Sequence, residues 1–169
     1  TLPNLKMLDV SSNFFDVIPD LAKLKNLEEL NLNNALGFVK KLPDFSKLPK
    51  LRVLMLSGNS DHTGVKVPAH PVLKQLFAMK LPALQELGID RWGEEDDDRA
   101  DLTPDLLAGI GKFKSLKKLD LEFNGLKAMP PDFYDLEHIE LIKTSYNEFT
   151  AAEQKRLKKK FPKAEIAFD

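Results

Sequence analysis

The feature that most restricts this chain is a pattern that returns along its whole length, Leu-x-x-Leu-x-Leu-x-x-Asn. The first copy is Leu5, Leu8, Val10 and Asn13, and the second is Leu27, Leu30 and Leu32 with Ala35 in the Asn place. Leu51, Leu54, Leu56 and Asn59 make the third; Leu84, Leu87 and Ile89 make the fourth, with Trp92 where Asn is expected. Leu116, Leu119, Leu121 and Asn124 form the fifth copy, and Ile139, Ile142, Thr144 and Asn147 a degenerate sixth. Successive copies begin 22, 24, 33, 32 and 23 residues apart, and a segment at 164–168 reads as a closing seventh strand. A fixed period of this size means an array of stacked units, not a core built from distant segments. It also explains why 29 of the 169 residues are leucine.

Within each copy the x-Leu-x-Leu-x stretch alternates with period two, so the leucines share one face of a strand and the x residues the other. A strand this short cannot bury its apolar face alone, and the copies must stack side by side as a parallel sheet. The Asn after each strand sits where the chain turns; its amide carries both donors and an acceptor for backbone groups inside the stack. Asn13, Asn59, Asn124 and Asn147 are therefore expected to form a structural ladder. Between strands, second apolar clusters with Pro-Asp pairs (Pro19-Asp20, Pro43-Asp44, Pro131-Asp132) indicate an outer wall of extended or single-turn helical segments.

On these residues the chain resembles the leucine-rich-repeat family over essentially its whole length. The resemblance implies an α/β fold, a leucine-rich-repeat solenoid or horseshoe with a parallel β-sheet on the concave face. Short helices and extended segments occupy the convex face. The expectation is a single domain over 1–169 with six to seven repeats, strands near 5–10, 27–32, 51–56, 84–89, 116–121, 139–144 and 164–168, and a capping helix over about 150–161. Thr150 and Glu153 match a capping box at its start, and Phe161-Pro162 ends it. Thr1 enters the pattern in mid-repeat with no initiating Met, so upstream repeats or a domain of the same protein are expected, the chain being the C-terminal part of something longer. The alternative is a short cap formed by the first strand itself.

Two connections exceed the rest. In the first, Val72, Leu73, Leu76 and Phe77 fall at helical spacing. In the second, Thr103-Pro104-Asp105 opens a helix through Leu106, Leu107 and Ile110, after an acidic run from Glu94 to Asp98. That run lacks the alternating spacing that turns carboxylates inward on calcium, and reads as solvated. The basic group from Lys155 to Lys163 suits the end of the capping helix.

Charge and composition exclude several functions. Lys+Arg 25 against Asp+Glu 26 rules out a strongly basic nucleic-acid binder, so no nucleic-acid partner is expected. No apolar run suits a membrane span. With Cys 0, thiolate metal sites and cysteine nucleophiles are excluded. His62, His70 and His138 show no ligand spacing, and Gly109-Ile-Gly111 is too little for a phosphate loop, so neither enzyme activity nor a metal or cofactor is expected. The absence of Cys, leader and glycosylation sequon points to a cytoplasmic location.

The leucines being committed to the core, function is expected of the concave x positions. Met7, Val53, Met55, Phe123, Leu141 and Tyr146 are apolar where there is no core to join, with Phe123, Leu141 and Tyr146 as one patch and Val53 with Met55 another. Trp92 either plugs the start of the acidic insertion or stands on the surface beside Arg91, and both join the candidate set. Exposed aromatics ringed by charge make a protein-binding hot spot. The expected function is recognition of a protein partner through the concave face and the inserted loops; the alternative is a substrate-recognition segment of a larger enzyme or effector of ligase or kinase type.

Overall fold

A computed structural model of the chain describes residues 2–59, 71–92 and 102–168. Each repeat contributes one three-residue strand: β1 (Met7–Asp9), β2 (Glu29–Asn31), β3 (Val53–Met55), β4 (Glu86–Gly88), β5 (Lys118–Asp120), β6 (Leu141–Lys143) and β7 (Glu165–Ala167). All pair in parallel in chain order, β1 to β7. The register aligns Leu8, Leu30, Leu54, Leu87, Leu119, Ile142 and Ile166, the middle leucine of the pattern, in one row through the sheet. Backbone bonds extend each ladder beyond the strands, as in Leu32 N–H to the Met55 carbonyl (2.8 Å) and Leu56 N–H to that of Gly88 (2.8 Å).

The core follows from that register. Leu27, Leu32, Leu54, Leu56, Leu84, Leu87, Leu116 and Leu121 are wholly buried, stacked on their equivalents in adjacent repeats. Full burial of such a side chain contributes about 1.5–3 kcal/mol, and the repeat supplies it several times per turn. From the convex side come Phe45, Phe77, Phe113 and Phe133, also buried. Leu5, Leu8 and Val10 of the first copy are only partly buried, and Leu2, Phe14 and Val17 beside them are exposed.

The first long connection holds α1 (Pro71–Ala78), with Val72, Leu73, Leu76 and Phe77 turned to the core. The second departs from expectation. In place of one helix from Thr103 it carries two 3₁₀ turns, Pro104–Leu106 and Ile110–Lys112, and Thr103 makes no side-chain cap bond. Gly109, at φ +104°, lies so close to the Phe77 carbonyl that a Cβ would stand 2.4 Å from its oxygen. A Cβ on Gly111 would stand 2.1 Å from the Asp132 carbonyl oxygen. The Asp132 carboxylate accepts the N–H groups of both glycines at 2.9 Å. The chain thus breaks its helix to fit between neighbouring repeats.

At the far end, α2 (Ala151–Lys160) covers the last repeats. The Thr150 hydroxyl accepts the Glu153 N–H at 3.2 Å, one half of the capping box. The Glu153 carboxylate turns the other way, accepting from Met129 N–H (2.9 Å) and the Tyr134 hydroxyl. Arg156 stacks over the Tyr134 ring, 3.7 Å from its centroid. Burial, then the bond to Glu153, pushes the Tyr134 phenol well above its ordinary range. The acidic run Glu94 to Asp98 and the histidines His62 and His70 lie outside the described residues.

Candidate functional site

The geometry of the concave face begins at the turn that ends each strand. The residue before the ladder position is left-handed in every repeat: Ser12, Asn34, Arg91, Phe123 and Tyr146 at φ 52–58°, and Gly58 at φ 68°. For residues other than Gly, Asn and Asp this conformation is uncommon and costs energy, and the stacking of repeats holds it. The consequence is a column of side chains along the strand-end side of the face, one per repeat.

Three members of that column form a continuous stack. The Phe123 and Tyr146 rings lie 4.0 Å apart, tilted by 11°. On the opposite side of Phe123 the Arg91 guanidinium stands 4.7 Å from the ring centroid, the geometry of a cation–π contact. Tyr146 is 62% exposed, so the stack ends on a large aromatic open to solvent. Arg91 is also tied to Asp90 (2.7 Å).

Beside the column, a depression of about 410 Å³ opens over the middle of the sheet. Gly88 is its floor, where the neighbouring strands carry Met55 and Asp120. The Met55 sulfur leans over it, 2.7 Å from where a Cβ would be. Glu86, Arg91, Lys118, Asp120, Leu141 and Lys143 line the walls. Their charges are paired between strands: Lys143 with Asp120 (2.9 Å) and Lys118 with Glu86 (3.5 Å). The hydrogen bond to Asp120 raises the Lys143 pKa above its ordinary value. Pairs of the same kind run outward, Lys117 to Glu140 (2.8 Å) on one side and Lys6 and Arg52 to Glu28 (3.1 and 3.2 Å) on the other. Hydrogen bonds from these cations hold the Glu28 and Glu140 carboxyls below the usual range.

The candidate residues therefore separate. Phe123, Tyr146 and Arg91 form one unit. Leu141 lines the central depression together with Met55 and Arg91. Met7, Val53 and Met55 border a shallower hollow toward β1, where Met7 is 61% exposed. Of the two placements the sequence left open for Trp92, the surface one beside Arg91 is corrected: at 1% exposure the residue belongs to the core.

Its role is visible in the ladder. Asn59 Nδ2 donates to the Leu32 carbonyl of the preceding repeat (3.0 Å) and the Leu56 carbonyl of its own (2.6 Å). Asn124 repeats this on Ile89 (2.8 Å) and Leu121 (3.0 Å), and Asn147 on Leu121 (2.8 Å) and Thr144 (2.9 Å). In the fourth copy the Trp92 indole N–H reaches back to the Leu56 carbonyl at 2.6 Å, the same link to the preceding repeat. The lost amide is thus replaced on its donor side. Among the described residues Asn13 bonds within its own repeat, to the Val10 and Ser11 carbonyls, and is exposed. The pattern of residue types does not single out Gly88; what marks it is its lack of a side chain in a strand row that carries Met55 on one side and Asp120 and Lys143 on the other.

Comparison with known proteins agrees with this architecture. A family model of two leucine-rich repeats matches residues 3–40. No curated protein matches the sequence significantly. Among solved structures, the leucine-rich-repeat protein LIC12759 of Leptospira interrogans is 27% identical with a TM-score of 0.59, over 99% of this chain and 44% of its own. TLR13, from a TLR13–ssRNA13 complex, is 20% identical with a TM-score of 0.57, over 99% of this chain and 27% of its own. The chain spans less than half the length of either protein. The family model thus covers the first two copies, and the fold of the whole chain is that of a leucine-rich-repeat solenoid. Folds of this class generally serve as protein–protein interaction modules and are typically non-enzymatic.

Proposed function

We propose that this chain recognises a protein partner through its concave face, with the Arg91–Phe123–Tyr146 stack as the anchor. The observation that carries the reading is the stack itself: two rings in contact and a guanidinium over them, on adjacent repeats, ending in an exposed tyrosine. Aromatics and arginine at a surface dominate binding energy when a partner covers them, and the burial of aromatic rings costs little conformational freedom. The depression over Gly88 lies next to the anchor and shares Arg91 with it. Its paired charges offer a partner polar groups already fixed in place, which favours specificity over raw affinity.

Affinity capture from the native cell followed by mass spectrometry tests this reading. The double variant Phe123→Ala, Tyr146→Ala should lose the protein that the wild type enriches, by at least about tenfold for a hot-spot pair, while its melting curve stays close to that of the wild type. Equal capture by a folded double variant overturns the assignment of the anchor.

A further inference from the structure

The cations of this protein fall into two populations. Those on the concave face are paired with carboxylates: Lys6, Arg52, Arg91, Lys117, Lys118 and Lys143. Among the described residues, those on the edge where the strands begin are not, Lys47 apart. The fourth residue before Leu27, Leu51, Leu84 and Leu116 is Lys23, Lys47, Lys80 and Lys112 in turn, and Lys160 lies one position off the same register before the last strand. Two copies depart: the first has Thr1 in that place, and the sixth has Asp135 with Glu137 after it.

Register makes this recurrence a surface. The same turn leads into the strand in these repeats, with Leu27, Leu51, Leu84, Leu116 and Ala164 donating N–H to the carbonyl three residues earlier. The lysines accordingly stand in a column stepped by the strand spacing of roughly 4.8 Å. Lys25, Lys50, Lys114 and Lys163 widen it, and all nine are exposed. Among the described residues only Lys47 has a carboxylate within reach, Asp44 at 4.0 Å. Lys25 and Lys114 donate to the Lys47 and Asp135 carbonyls (3.0 and 3.1 Å), and Lys50 to the Asn26 side-chain oxygen (2.7 Å). Those acceptors are neutral and leave the charge uncompensated.

Helix dipoles give an intramolecular reason for some of them. Lys47, Lys112 and Lys160 end helical segments, where cations are stabilised. Lys23, Lys25, Lys50, Lys114 and Lys163 end none. Their mutual repulsion is tolerated on a chain whose formal net charge is -1, so the positive field is a property of this edge and not of the whole protein.

We propose that the strand-start edge docks on an anionic phospholipid surface. The chemistry of the column favours a bilayer over nucleic acid. It consists of lysines, point charges without the planar fork that arginine offers a phosphate, and among the described residues the exposed ring on this edge is the single imidazole of His138, no series of aromatics on which successive bases could stack. A row set level by an in-register sheet matches a plane of headgroups, and lysines near such a surface contribute roughly a factor of five each in affinity.

Sedimentation with phosphatidylcholine vesicles, with and without phosphatidylserine, tests the proposal on the whole chain. Binding is expected only with phosphatidylserine and should weaken steeply as salt is raised. The triple variant Lys80→Glu, Lys112→Glu, Lys114→Glu should lose about a hundredfold or more in affinity. The triple variant Lys23→Glu, Lys25→Glu, Lys50→Glu, in different repeats, provides the same reading if the first misfolds. The double variant Phe123→Ala, Tyr146→Ala should bind vesicles as the wild type does. No binding to phosphatidylserine vesicles at low salt, undiminished binding by a folded lysine variant, or tighter binding to duplex DNA than to the vesicles overturns it.

Discussion

At the scale of single residues, the ladder position shows how strongly the stack constrains its polar chemistry. Each repeat must supply a donor to the carbonyl behind it, because a buried carbonyl left without a partner costs about 1–3 kcal/mol. Asparagine does this at Asn59, Asn124 and Asn147, and its oxygen also accepts backbone N–H groups, as from Ala35 and Leu36 (both 2.7 Å). These residues are legible in the sequence because type and spacing together define the job. Trp92 is not legible, since nothing local says that its indole N–H will reach a carbonyl 36 positions earlier. Its two contributions can be separated. Trp92→Phe removes the donor but keeps most of the ring, and the Leu56 carbonyl retains Asn59 as a partner, so the cost should be about 1 kcal/mol. Trp92→Ala should cost about 3–5 kcal/mol through the cavity it leaves. Urea denaturation measures both; two neutral substitutions contradict a buried role.

At the scale of elements, local signals succeed where the chain's own caps decide the structure and fail where a neighbouring repeat does. The helix α2 is readable from Thr150 at its start and Phe161-Pro162 at its end. The 104–112 segment reads equally well as a helix, yet Gly109 and Gly111 press against Phe77 and Asp132 of adjacent repeats, and it becomes two short turns. Glu153 is a mixed case. Its spacing from Thr150 is a local signal, but its carboxylate serves Met129 and Tyr134 instead of the cap. It therefore ties α2 to the repeat before it. Glu153→Ala should strip the Met129 N–H of its acceptor and cost about 1–3 kcal/mol. Hydrogen exchange should show amides of α2 and of Met129 losing protection before those of β3 to β5; uniform loss through the sheet means that Glu153 is no local latch.

At the scale of the whole molecule, each repeat touches only its neighbours, and stability is a sum of repeat and interface contributions. The leucine period was sufficient to read the stacked parallel sheet, because one physical demand, burial of a strand face, recurs at every copy. The concave face was less legible: its x positions could be enumerated, but Met55 leaning over Gly88 or Arg91 lying on Phe123 depends on which rows become adjacent. The same logic makes the cost of a core substitution depend on where in the array it falls. Leu119 is 1% exposed between β4 and β6, with leucine and isoleucine partners on both sides. Leu8 occupies the equivalent place in β1, which among the described residues pairs with β2 alone, and is partly buried. Leu119→Ala should cost about 2–5 kcal/mol, and Leu8→Ala less than half as much, although the chemical change is identical. Denaturation midpoints of the two variants test this; equal losses mean that the first repeat is as firmly held as the fifth, and that stability here is not a sum over neighbours.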